Sequence, residues 1–237
     1  MARSGIGDRP KRREDLRFLT GRGRYLDDLV FADLVHAVVL RSPHAHAEIV
    51  AHDCEAARAM PGVLAVLTAA EVRADGLNPL EPTMRVNAQT GESFRFAPQP
   101  LLAWSKVRYV GEPVALVVAE TRETALDAAE RIAVFYQPLP AVTDAAAARA
   151  DGLLISEEVP GNLCLDWRIG DDGAVDAAFA AAAHIVRLTL DNHRVVTNPI
   201  EPRGAIGEYD AERGRYTLHL SGQSLYGTRA HAARALG

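Results

Sequence analysis

Apolar residues run almost unbroken from Val114 to Ala119, recur at Ala125, Ala129 and Ile132, and return from Ala133 to Tyr136. The first run is rich in valine and follows Gly111-Glu112-Pro113. It predicts a strand covered on both faces, since a strand with one wet side alternates. Pro113 fixes its own φ and brings no ladder donor, so the strand begins just after it. Thr121 stands where a hydroxyl can cap a helix, and the spacing that follows predicts that helix. Pro138 and Pro140 end the second β run. A strand, helix, strand unit must bury its helix stripe and strand faces in a larger sheet.

The rest of the chain reads around that unit. Residues 1–18 form a polar, charged arm, and Tyr25-Leu26-Asp27-Asp28 follows a Gly21-Arg22-Gly23 loop. Leu34 to Arg41 is a strong strand, stopped by Ser42-Pro43, and Ala45 to Ala51 is a second extended run. Asp53 is placed to cap a short helix through Met60 before Pro61-Gly62 turns the chain into a third strand, Val63 to Leu67. That order weakly echoes the later strand, helix, strand unit. From Asp75 to Pro100 the periodicity vanishes in a proline- and asparagine-rich span too long for an ordinary connection, which marks a functional or interface loop. Residues 143–161, with Asp151-Gly152 and Pro160-Gly161, read as a linker between a first domain, 19–142, and a second, 162–237. In the second, Val175 to Ala183 predicts a helix. His184 to Thr197 alternates like a long strand with one covered face. Gly204 to Tyr209 and Tyr216 to Leu220 form a hairpin around Glu212-Arg213-Gly214, and Tyr226 to Leu236 a helix with Gly237 at its stop. The class is α+β. A helix, about three strands and a final helix are few elements for an independent core, so the second domain is expected to be completed by residues outside this chain.

Composition narrows the function classes. Across 237 residues, 48% apolar content is ample for a core, and a net charge of −5 speaks against nucleic acid as the main partner. Cys54 and Cys164 are far apart in a cysteine-poor sequence, which fits free thiols in a reducing compartment. Arg12-Arg13 is followed by Glu14-Asp15 and no apolar run, so it does not read as a twin-arginine signal, and no segment approaches bilayer length. A cytoplasmic protein is expected.

Four motifs carry a resemblance: Arg41-Ser42-Pro43-His44-Ala45-His46-Ala47, Pro61-Gly62-Val63, Lys106-Val107-Arg108-Tyr109-Val110-Gly111-Glu112-Pro113-Val114-Ala115, and Pro199-Ile200-Glu201-Pro202-Arg203-Gly204. In this order they resemble the molybdopterin-binding large subunit of the xanthine dehydrogenase and aldehyde oxidase family, with its aerobic carbon monoxide dehydrogenase branch. The resemblance runs from about Gly7 to the last residue. It implies an α/β hammerhead domain followed by the beginning of a molybdopterin-binding domain. The family's glycine-rich phenylalanine loop, its active-site loop and its C-terminal glutamate base have no counterpart here.

One family active-site position matches, the glutamine after the first strand of the molybdopterin domain, which is Gln223 in Leu220-Ser221-Gly222-Gln223. In the family this amide approaches an apical ligand of molybdenum. It usually follows Thr or Phe and precedes a small residue and Pro-His; here Gly222 precedes and Ser224-Leu225-Tyr226 follows. The implied chemistry is hydroxylation of an aldehyde, a purine or other N-heterocycle, or carbon monoxide, with oxygen from water and two electrons passed to molybdenum. The implied cofactor is molybdenum-molybdopterin in its cytosine dinucleotide form. The implied partners are the remainder of the large subunit, an iron–sulfur small subunit and an FAD medium subunit, with electrons leaving through Fe–S centres and flavin. No catalytic residue and no protein metal ligand is assigned to this chain. The competing class is a non-catalytic truncated or split member that serves as a docking or assembly module.

Other candidates have plainer readings. His44 and His46, two apart on an extended run, share a face and could bind a metal, but no third ligand is evident and structural use is favoured. Glu201 with Arg203 could be a buried ion pair or a substrate group, and the turn between Pro199 and Gly204 favours a structural pair. Asp171-Asp172-Gly173 with Asp176 fails the calcium-loop spacing and reads as a capped helix start. Gly21-Arg22-Gly23-Arg24 is too short to cradle a phosphate, and no Walker or Rossmann glycine pattern occurs.

Overall fold

The structure is a computed structural model that describes residues 7, 11–82, 94–150, 152–166, 169–193 and 195–237. In chain order its elements are α1 (Asp15–Leu19), β1 (His36–Arg41), β2 (Ala47–Asp53), α2 (Glu55–Arg58), β3 (Val63–Leu67), α3 (Ala69–Ala74), β4 (Lys106–Val107), β5 (Pro113–Ala119), α4 (Arg122–Glu130), β6 (Ala133–Pro138), α5 (Ala145–Ala150), α6 (Asp172–Ala181), β7 (Ala205–Asp210), β8 (Arg215–Leu220) and α7 (Leu225–Leu236). Two compact units result, one from 35–190 with 224–237, the other from 1–34 with 191–223.

The larger unit holds two antiparallel three-stranded sheets, ordered β1-β5-β3 and β4-β2-β6. The valine-rich run is the central strand of the first, with Val117 opposite both Val38 and Val66. The sheet leans on α4, whose small buried residues Ala125, Ala128 and Ala129 let it pack close to Ala115, Val117 and Ala119. Thr121 caps α4, its Oγ1 accepting the Thr124 N–H at 3.1 Å. A second cluster, Ala47, Ala103, Val107 and Val114, lies against Ile49, Val134 and Tyr136 of the other sheet. Val114 and Val117, three strand positions apart and so on opposite faces, lie in different clusters, which shows why this run does not alternate.

Two local readings change. The N-cap of α2 is Cys54, with the Asp53 carboxylate one residue earlier accepting the Glu55 N–H at 3.2 Å. Helix α3 was not anticipated, although a capping box starts it: Thr68 Oγ1 accepts from Ala70 N–H, and Glu71 accepts from the Thr68 backbone and hydroxyl at 2.7 and 2.6 Å. Part of the aperiodic span, 83–93, lies outside the described residues.

The segment expected to link two domains carries structure. It contains α5 and a tight turn at Pro160–Asn162. Asn162, at φ 54°, donates from Nδ2 to the carbonyls of Ala148 and Leu153, both at 2.7 Å, while its Oδ1 accepts the Ile155 N–H at 2.9 Å. Lys106 Nζ holds Glu157 at 2.8 Å, so this stretch is tied to β4.

Farther on, Asp171 caps α6 by accepting the Ala174 N–H at 3.0 Å, which is the capped helix start expected of the aspartate cluster. The long strand expected over His184–Thr197 does not form among the described residues. Val186, Leu188 and Leu190 are 90, 79 and 79% exposed. The alternation is present, but a strand needs an edge to pair with, and no described strand pairs with this segment.

In the smaller unit β7 and β8 form the expected hairpin, with Asp210 opposite Arg215. Asp210 accepts from the N–H groups of Glu212 and Arg213 and pairs with the Arg213 guanidinium at 2.8 Å, closing the turn that Gly214 completes at φ 58°.

Candidate functional site

Two of the motifs lock onto one another. After a bulge at Leu40/Arg41, the Ser42 N–H donates to Glu112 O at 2.9 Å, the Gly111 N–H donates to Ser42 O at 2.8 Å, and Arg41 Nη1 donates to Gly111 O at 2.8 Å. Gly111 adopts φ 89°, which favours glycine at this turn. The Glu112 carboxylate accepts the Arg108 N–H at 2.5 Å. Burial pushes its pKa up, against the opposing pull of the Arg108 N–H and charge and of the Tyr109 N–H.

The paired histidines serve the same scaffold. His44 lies against the Tyr136 ring, centroids 4.8 Å apart, and His46 Nδ1 hydrogen-bonds Pro140 O at 2.7 Å while His46 O accepts the Leu139 N–H at 2.9 Å. These partners separate the two rings in role, and among the described residues no group of three His, Cys, Asp or Glu could hold a metal ion. Cys54 is buried and Cys164 exposed, both free, and burial raises the Cys54 thiol pKa. Burial also lowers the His52 pKa, with nearby Glu71 opposing.

Glu201 does not pair with Arg203. Its Oε1 accepts the Leu26 N–H at 2.9 Å, and a Cβ on Gly204 would stand 3.3 Å from Leu26 Cδ1. The reason is local: Leu26 opens a short 3-10 turn whose first N–H groups lack helical partners, and a carboxylate satisfies one better than it would an exposed guanidinium. The Pro199 to Gly204 motif therefore holds the Tyr25-Leu26-Asp27-Asp28 turn.

Gln223 stands between β8, which ends at Leu220, and Ser224, the N-cap of α7. Ser224 Oγ accepts the Gly227 N–H at 3.2 Å, and a Cβ at Gly227 would come within 2.7 Å of that oxygen, so Gly227 makes room for the cap. At Gly222 the Leu220 side chain fills the space a Cβ would need, 2.8 Å away. The Gln223 side chain is exposed, and its carboxamide makes no hydrogen bond among the described residues. A neutral group with a free donor and a free acceptor suits contact with an anionic, oxygen-rich cofactor, so the residue fits the group.

The family model for the aldehyde oxidase and xanthine dehydrogenase a/b hammerhead domain matches residues 20–140. The chain belongs to this family. The molybdopterin cofactor-binding domain model matches residues 155–237. The fold is accordingly a hammerhead domain followed by the start of a molybdopterin-binding domain. The nicotine 6-hydroxylase large subunit of Paenarthrobacter nicotinovorans is 39% identical over 94% of this chain and 26% of its own length. The carbon monoxide dehydrogenase large chain of Afipia carboxidovorans is 35% identical over 90% and 27%. The crystal structure of quinoline 2-oxidoreductase from Pseudomonas putida 86 superposes with a TM-score of 0.83 at 38% identity, covering 98% of this chain and 28% of that one. The chain thus spans about a quarter of the length of these relatives. Among the described residues, no helix is long and apolar enough to cross a membrane.

Sequence reasoning missed Asn162 and the capping box at Thr68. The Thr68-Ala69-Ala70-Glu71 spacing was a readable signal; three bonds from one asparagine side chain were not.

Proposed function

We propose that this chain supplies the hammerhead domain and the first part of the cofactor-binding domain of a cytoplasmic molybdenum hydroxylase large subunit, and that activity requires the rest of the large-subunit sequence. The observation that carries this reading is that the two domain models match one after the other along nearly the whole chain. The bound cofactor, molybdenum-molybdopterin in its cytosine dinucleotide form, supplies the two-electron acceptor for hydroxylation with oxygen from water. Gln223 would meet it with an uncharged amide that could donate a hydrogen bond without adding a charge to the site. Gly222 and the Ser224 cap set where that amide begins. The remaining chemistry falls to the rest of the large subunit, and Fe–S and FAD partner subunits carry electrons away. Of the substrate classes considered, N-heterocycles rank ahead of aldehydes and carbon monoxide, because the nicotine and quinoline enzymes are the relative and the structure with the highest identities given above.

The test is co-expression with the polypeptide that carries the remaining large-subunit sequence and with the two smaller subunits, followed by molybdenum analysis and dye reduction. The expected result is a molybdenum-loaded complex that reduces dye with quinoline or nicotine. A metal-free complex inert to N-heterocycles, aldehydes, purines and carbon monoxide would overturn the reading.

A further inference from the structure

The aperiodic loop after α3 is anchored at both ends. At its start, Gly76 takes φ 71°, its N–H bonds Arg73 O at 3.1 Å, and the Leu77 N–H bonds Val72 O at 3.2 Å, a Schellman closure of α3. Just beyond, Leu80 and Gln99 exchange backbone bonds at 2.8 and 3.0 Å, and Gln99 Nε2 donates to the Tyr109 hydroxyl at 3.1 Å. Between these fixed points sits Asn78. Its backbone N–H donates to Ala235 O and its Nδ2 to Arg234 O, both at 2.9 Å.

Those two carbonyls belong to the last turn of α7, where a helix has no internal donors left to offer. A cavity of about 220 Å³, lined by Asn78, Pro79, Leu80, Glu81, His231 and Arg234, lies between loop and helix. Beside this cavity the two hydrogen bonds tie the loop to the last turn of α7, where Ala235 is also buried. The other end of α7 starts at Ser224, joined directly to Gln223. An α-helix of this length is a stiff rod of roughly 18 Å, so holding one end restrains the other.

We propose that Asn78 is a positioning residue that clamps the C-terminal end of α7 and thereby fixes Gln223 at its N-terminal end. The inference rests on the reading of Gln223 as the cofactor-facing residue. The loop of the first domain, rather than the cofactor domain alone, then sets where the amide stands.

The experiment uses the full 237-residue chain and two variants. Asn78→Asp keeps the side-chain shape but removes the donor, and Asn78→Ala guards against an unfolding effect of the carboxylate itself. Hydrogen exchange is read along α7 and β5, and the Gln223 side-chain NH2 signal, assigned by its loss in Gln223→Ala, is followed in the 15N spectrum. Exchange in the last turn of α7 should quicken by about tenfold, as expected for one lost hydrogen bond. Exchange in β5 should be unchanged and the Gln223 signal should shift. Unchanged α7 exchange, or faster exchange with the Gln223 signal unmoved, would overturn the proposal. Failure of the functional reading would appear elsewhere, as normal turnover in a loaded Gln223→Ala enzyme, and would leave these two measurements standing.

Discussion

The N–H of Ser42 donates to the carbonyl of Glu112 at 2.9 Å, and both residues are almost fully buried, at 2 and 4% exposure. Two distant motifs of the chain thus meet through this bond and the Gly111 N–H to Ser42 O bond beside it, with the Glu112 carboxyl enclosed there.

That enclosure makes stability depend on pH. Burial raises the Glu112 pKa above its ordinary value, so between the two values the folded state binds a proton that the unfolded state does not. The contribution is fully present below the unfolded pKa and is lost as pH rises through the folded pKa. Glu112→Gln, which keeps the shape and an acceptor for the Arg108 N–H, should flatten this dependence. Urea midpoints measured from pH 4 to pH 8 should fall less steeply for the variant than for the parent; parallel curves would remove Glu112 as the cause.

Asn162 separates two effects that are usually confounded. Asn162→Gly keeps the left-handed backbone but loses three side-chain bonds, and should cost roughly 2 kcal/mol. Asn162→Ala adds a Cβ penalty of about 1 kcal/mol at φ 54°. Denaturant titration of both variants checks the order, and equal stabilities would show that the backbone there is unstrained.

Val117 is fully buried at the centre of the first sheet. Val117→Ala removes two methyl groups from a site closed by α4 on one side and flanked by β1 and β3, and should destabilise by about 2 kcal/mol. Thermal unfolding of the pair of proteins reads this directly; a loss under half that size would mean the site collapses around the smaller residue.

Gln223→Ala, in a molybdenum-loaded complex, should slow turnover by about tenfold or more while leaving the midpoint for unfolding of the first domain unchanged, because its side chain is exposed and makes no hydrogen bond among the described residues. Steady-state kinetics beside a melting curve distinguishes the two effects.

The sequence was most legible where one local rule acted alone. Val114 to Ala119, the Thr121 cap and the Glu212-Arg213-Gly214 turn each follow from composition and spacing, and the corresponding elements sit within a residue or two of expectation. It was least legible where long-range partners decide. The alternation at His184–Thr197 reports that a covered face is wanted, not what covers it. Glu201 looked like the partner of its neighbour Arg203, yet the donor that won, the Leu26 N–H, comes from the far end of the chain. Gln223 was proposed on resemblance alone, since a polar residue after a strand carries no periodic signal. Asn78 escaped for a related reason: both of its acceptors lie on a helix 156 positions or more downstream.

Strand order has a cost during synthesis. β1 and β3 never touch, since β5 lies between them, and β2 waits likewise for β4 and β6. On the ribosome, a nascent chain released only as far as Leu67 therefore offers several apolar ribbons with bare edges and no finished layer. Closure comes with Ala119 and Pro138, which makes this stretch of translation the window in which chaperones matter most.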